Sequence, residues 1–168
     1  MPLPSTYTPI ATNTLSSAAA SVTFSSISGA YTDLVVVVNG KTTGTGPTSF
    51  GFRFNGDSGS NYSLNVVYGN SGGVGATRTN NGNHTSGGQT DSSTPFNPCI
   101  FHINNYSNTT TYKTVLFRSN MPITQLTFGV SLWRNTAAIN SIEINHFDAG
   151  GSWASGSTFT LYGIKAAS

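Results

Sequence analysis

Few side chains in this sequence can do chemistry. Outside hydroxyls and amides, the inventory is five carboxylates (Asp33, Asp57, Asp91, Glu143, Asp148), three histidines (His84, His102, His146), one thiol (Cys99) and seven Lys and Arg. A glycosidase needs two carboxylates facing each other across a cleft at about 5–9.5 Å. Asp33 opens a β-like run and Asp57 follows Asn55-Gly56, both positions where Asp hydrogen-bonds its own backbone in a turn. Glu143 stands between Ile142 and Ile144 and therefore points away from them. No His-x-His or His-x₃-His spacing converges on a metal. His146 shares a face with Ile142 and Ile144, which suits a hydrogen-bonded histidine at the edge of a core. No Gly-x-Ser-x-Gly sits at a strand-to-helix turn, so no nucleophile elbow is in view. The oxygen-rich stretch 55–61 could face Ca²⁺, but it lacks a second carboxylate and a distal Glu, and a hairpin turn explains it. The expectation is a protein that is not an enzyme and carries no metal or cofactor.

The remaining composition excludes other classes. Lys41, Arg53, Arg78, Lys113, Arg118, Arg134 and Lys165 are scattered, whereas nucleic-acid binding needs a clustered basic face. No apolar run approaches the ~20 residues of a membrane span, and residues 1–6 show no secretory pattern. Cys99 has no disulfide partner in the chain and reads as a small buried hydrophobe. The Asn-x-Ser/Thr sequons at Asn61, Asn83, Asn105 and Asn108 are expected by chance in a chain so rich in Asn and Thr.

These groups must be held by β-structure. Only 7% of the 168 residues are charged and roughly half are Gly, Ser, Thr or Asn, yet 11% are aromatic, which separates the chain from charge-rich disordered sequences. Short β-like runs bounded by turn residues fall at 7–12, 21–27, 33–39, 50–55, 62–68, 99–104, 113–120, 125–134, 139–146 and 157–164. Residues 16–20 are the single short helix or turn expected. Phe50, Phe52 and Phe54 alternate with Gly51, Arg53 and Asn55. Leu126, Phe128, Val130 and Leu132 form a second apolar row, with Trp133 opposite. Residues 34–38 are apolar on both faces, as for a strand covered on both sides. About ten strands without an amphipathic helix predict an all-β, antiparallel two-sheet sandwich, jelly-roll-like. It would form a single domain over 7–168, preceded by an extended arm over 1–6. Residues 69–98, with Gly72-Gly73, Asn80-Asn81-Gly82-Asn83 and Gly87-Gly88, read as a long loop, either a surface excursion or one that orders against a neighbouring subunit.

Several stretches together carry a resemblance. They are Tyr7-Thr8-Pro9-Ile10-Ala11, the run from Ala19 to Ile27, Tyr31-Thr32-Asp33-Leu34-Val35, Arg53-Phe54-Asn55-Gly56-Asp57, Asn61-Tyr62-Ser63, and the closing run from Gly156 to Ile164. The chain in these regions resembles a family of small structural proteins encoded by tailed bacteriophages, notably those of aquatic bacteria and cyanobacteria. The resemblance covers the first third of the chain and the last twenty residues. It implies a β-sandwich virion component, trimeric, and supplies no set of binding or catalytic residues.

The resulting expectation is a capsid decoration (cement) protein, located in the virion after assembly in the host cytoplasm. Its partners would be the major capsid protein and its own copies, as a homotrimer, with no nucleic acid and no membrane. Candidate interface residues are Met1, Pro2, Leu3, Pro4, Arg78, His84, Trp133 and Trp153. A lid over one end of the core is the competing reading for each tryptophan. The alternative function is a receptor-binding module of a tail fibre or spike that grips host polysaccharide, using Trp153, Tyr62, Tyr68 or the long loop as a stacking platform.

Overall fold

The computed structural model describes residues 6–92, 95–121, 125–147 and 151–165. Its strands, in chain order, are β1 (Tyr7–Thr14), β2 (Ser21–Phe24), β3 (Asp33–Gly40), β4 (Thr48–Phe54), β5 (Tyr62–Asn70) and β6 (Gly73–Gly82). They are followed by β7 (Gly88–Thr90), β8 (Asn97–Asn104), β9 (Lys113–Met121), β10 (Gln125–Trp133), β11 (Ile142–Asn145) and β12 (Thr158–Ile164). The fold is all-β: two antiparallel sheets, one in the order β1-β12-β3-β8-β9-β10-β5-β6 and one in the order β2-β11-β4-β7, pack as a sandwich.

Period-two alternation builds the core between them. On β4, Phe50, Phe52 and Phe54 all point inward and are fully buried. Phe101 on β8 meets Phe52 edge-on at 4.5 Å, and Trp153 meets Phe50 at 4.9 Å, both in the T-shaped geometry aromatic quadrupoles prefer. From β3, Leu34, Val36 and Val38 enter the same core, while Val35 on the other face is also buried. The second sheet therefore covers this run on one face; on the other, Val35 is buried and Val37 half-buried, so the strand is not fully covered on both sides as its composition predicts. The Asn55-Gly56 pair turns the chain after β4 with φ of 54° and 70°, and left-handed backbone of this kind suits Asn and Gly best.

The two sheets are unequal, and the difference matters. Four strands cannot cover eight. Both edges are uncovered: no residue of β1 and none of the ten of β6 is buried. β6 thus overhangs the smaller sheet beyond β5, whose Tyr62, Leu64 and Val66 are buried.

Three further expectations need correction. Residues 69–98 are not a loop, because β6 and β7 run through them; the Gly- and Asn-rich composition is tolerated at an edge where no side chain has to fill a core. Residues 16–20 form no helix, and Ala19 instead bridges to Trp153. The row Leu126, Phe128 and Val130 points out to solvent, while Thr127, Ser131 and Trp133 point inward. Trp133 decides that register. Its ring packs 5.5 Å from Phe54 and its Nε1 donates to Asp57 at 2.8 Å, and a one-residue slip would expel it. The inner face of β10 must then be small. The Phe117 ring lies where a Cβ on Gly129 would stand, and Ser131 Oγ donates to the Ser86 carbonyl at 3.3 Å.

Candidate functional site

The outer face of the large sheet carries the most unusual surface of the molecule. Ladder register places its side chains in transverse rows, with neighbouring strands about 4.8 Å apart. One row runs Val35, His102, Leu116, Val130, Asn65, Arg78 across β3, β8, β9, β10, β5 and β6. The next runs Val37, Ile100, Arg118, Phe128, Val67, Ala76 across the same strands. A shorter row joins Asn120, Leu126, Gly69 and Val74.

Apolar side chains dominate the centre of this face and stand in water. Phe128 is 56% exposed, Val67 52% and Val74 83%. Leu116, Leu126 and Val130 are exposed as well. Between them lies a shallow groove of about 690 Å³, bordered by Val67, Ala76, Arg78, Leu116, Phe128 and Val130. Side chains of this size, half in water, expose on the order of 500 Å² of apolar surface, at the upper end of what monomeric proteins leave uncovered.

The charges on the face have one sign. Arg118 flanks Phe128 and Arg78 borders the groove, where its Nε donates to Asn80 at 3.2 Å. Among the described residues no carboxylate joins them on β8, β9, β10, β5 or β6; Asp33 shares the side of Val35 but stands at the end of β3. Asp33 caps the Asn105 N–H at 2.6 Å, Asp91 is buried, and Glu143 lies on β11 of the other sheet. Asp57 sits in the turn after β4, accepting from Gly59 N, Asn61 Nδ2 and Trp133 Nε1. Burial pushes its carboxyl pKa up, but the hydrogen bonds from Trp133, Asn61 and Gly59 outweigh burial and hold it below the ordinary 3.8. These bonds already engage both carboxylate oxygens of the stretch weighed as a calcium loop. No cluster of three His, Cys, Asp or Glu occurs among the described residues.

The interface candidates separate. Arg78 lies on the outer face. His84 is on the other side of the molecule, its ring tilted 30° to that of Phe147 at 4.6 Å, over which the Arg53 guanidinium lies at 4.3 Å. Trp133 and Trp153 are both buried, so neither presents its ring at the surface as an interface anchor. Each closes part of the core, and Trp153 Nε1 donates to the Ile144 carbonyl at 3.3 Å. Tyr62 is likewise buried, with its hydroxyl between Phe54 N and Asp57 O, which leaves it unavailable as a stacking platform. Met1, Pro2, Leu3 and Pro4 lie outside the described residues.

Other reactive groups serve the interior. His146 is buried between Phe50 and Trp153; its Nε2 meets Thr90 Oγ1 at 3.0 Å, and burial lowers its pKa to about 4. Burial raises the Cys99 thiol pKa to about 11, away from nucleophilic use. Gly69-Asn70-Ser71-Gly72-Gly73 has nucleophile-elbow spacing, but it spans a strand-to-strand hairpin turn between β5 and β6.

Sequence reasoning passed over Leu116, Phe128, Val67 and Val74 as surface groups. The available signal was Trp133 set against Leu132 at the end of β10, since only one of the two can face the core.

Fold and surface together define an antiparallel β-sandwich with an unpartnered apolar sheet face. No protein-family model and no curated protein matches the chain.

Proposed function

We propose that this protein is a structural virion component, a decoration protein that adheres to the phage head. Its docking surface is the outer face of β8, β9, β10, β5 and β6, and the major capsid protein is the partner. The observation that carries this reading is that face: apolar at its centre, flanked by Arg78 and Arg118, and free of carboxylates among the described residues. The resemblance to phage structural proteins supplies the class of particle.

Charge decides between a second copy and a different protein as occupant of this face. Two copies meeting face to face would oppose cation to cation and bury unpaired guanidiniums, which is unfavourable. The complementary surface is apolar with carboxylates at its rim. At about 25 cal/mol per Å², covering on the order of 500 Å² contributes on the order of 10 kcal/mol. Association itself costs about 4–15 kcal/mol, so a single copy holds weakly. A closed homotrimer docking three faces at once gains avidity without new contacts, which is the physical reason to retain the trimer.

Cosedimentation with empty capsids tests the reading. Wild-type protein is expected to bind stoichiometrically, and Leu116→Glu with Phe128→Glu is expected to abolish binding while leaving the thermal melt unchanged. Undiminished binding by the double variant would remove this face from the proposal. No capsid binding by the wild type would remove the decoration role.

A further inference from the structure

A second surface lies on the opposite side of the large sheet. There the overhang of β6 extends past the short strand β7 and leaves a cleft of about 360 Å³. Tyr68, Asn70 and Thr77 line it from the hairpin, Gln125 and Thr127 from β10, and Gln89 from β7. None of these side chains carries a formal charge. Each polar one offers an amide or hydroxyl, the groups that pair with ligand hydroxyls as donor and acceptor together.

Three details make this more than a polar dent. The Tyr68 ring lies against Gly75 on the neighbouring strand, so closely that a Cβ there would come within 2.6 Å of its Cζ and Oη. Glycine leaves room for the hydroxyl end of the ring against the neighbouring strand, and Tyr68, partly buried against the core, lines the cleft. Gln89 Oε1 is buried and has no hydrogen-bond partner among the described residues. A buried acceptor in this state is uncommon, and because it has almost no accessible surface, a ligand donor reaches it only once the Gln89 side chain turns into the cleft. Gln125 Nε2 donates to Thr127 Oγ1 at 3.1 Å, which fixes the orientation of a second amide in the cleft.

We infer that this cleft binds a neutral saccharide. An aromatic face stacks on the C–H face of a sugar ring, and the surrounding amides and hydroxyls satisfy its hydroxyls. Among the described residues the lining has no cation to attract a sulfated or sialylated glycan, and no carboxylate or imidazole to hold a metal. The volume is at the small end of the ~300–1,000 Å³ range of ligand pockets and suits a terminal mono- or disaccharide unit. The cleft and the apolar face occupy opposite sides of one sheet, so both can be engaged together. The inference stands independently of the capsid reading.

The test is a glycan array of neutral, sialylated and sulfated oligosaccharides, followed by titration of the neutral glycans that bind. Wild-type protein is expected to retain neutral glycans. Tyr68→Ala is expected to lose ~10-fold or more in affinity, the scale of one aromatic contact. Gln89→Leu is expected to lose affinity while its melting temperature holds or rises, because it removes an unsatisfied buried acceptor. A merely structural Gln89 would show the reverse, a lower melting temperature with binding intact. Leu116→Glu with Phe128→Glu is expected to leave glycan binding unchanged, which separates this site from the docking face. Retention of no glycan, retention of charged glycans alone, or neutral binding undisturbed by both cleft variants would each overturn the inference.

Discussion

At the residue scale, a few ionisable groups of this protein are held in the interior. His146 shows the consequence most directly. Burial between aromatic rings brings its pKa from the ordinary 6.5 to about 4, so the folded state resists protonation while the unfolded chain accepts it. Its contribution to stability is therefore fully present above pH 6.5 and is lost as the pH falls toward 4. Thermal melts across that window should show a falling midpoint, and His146→Phe should flatten this part of the profile. A wild-type midpoint constant from pH 7 to 4 would mean the imidazole is not buried neutral. Lys113 follows the same logic: its side chain is buried, Nζ donates to the carbonyls of Thr111 and Thr136, and burial lowers its pKa. Asp57 is the counterpart, a turn carboxylate whose hydrogen bonds tie the β4–β5 turn to Trp133.

At the element scale, β10 carries the main lesson. Its alternation is plain, yet its apolar residues lie outside and its small polar residues inside. The inner positions are limited by the Phe117 ring and by the chain around Ser86, so hydrophobicity there gives way to volume. A pair of substitutions separates the two faces. Phe128→Ser should change unfolding free energy by no more than ~0.5 kcal/mol, as for exposed positions in general. Phe117→Ala, on the neighbouring strand but buried, should cost about 3–5 kcal/mol. Urea unfolding of both variants measures this. Comparable losses would place Phe128 in the core and dissolve the docking face.

At the scale of the whole molecule, the mismatch between an eight-stranded and a four-stranded sheet creates the cleft, while the docking face lies on the far side of the large sheet and follows from the register of β10. Had the smaller sheet been wider, β6 would be covered as Tyr62, Leu64 and Val66 of β5 already are, and the cleft would not exist. The overhang leaves β6 held by one ladder alone, which is a weak arrangement for an edge strand. Hydrogen exchange should therefore be fastest at the edge strands β6 and β1 of the large sheet and much slower at β3 and β8. On capsid docking, β6 and β9 should gain protection. Slow exchange at β6 in the free protein would indicate that it is already covered, pointing to self-association. Because the cations of the face meet carboxylates in the proposed complex, capsid affinity should also fall as salt rises.

The residues alone determined the class of fold, because that depends on local pattern. The aromatic alternation of β4, the existence of β3, the turn at Asn55-Gly56 and the hydrogen-bonded, core-edge His146 were all legible there. Each is decided within a few residues. The strands inside 69–98 were not legible, since an edge strand needs no apolar side chains and forms only because β5 offers it a ladder. The outward direction of the apolar row was not legible either, and for the two tryptophans the residues left a lid over the core and an interface anchor both open. A period-two pattern gives two faces but does not say which is inside. That choice was made by the tertiary structure, through the fit of Trp133 beside Phe54 and of the Phe117 ring over Gly129. The surface with most to say about function exists because the core preferred shape to hydrophobicity at one strand.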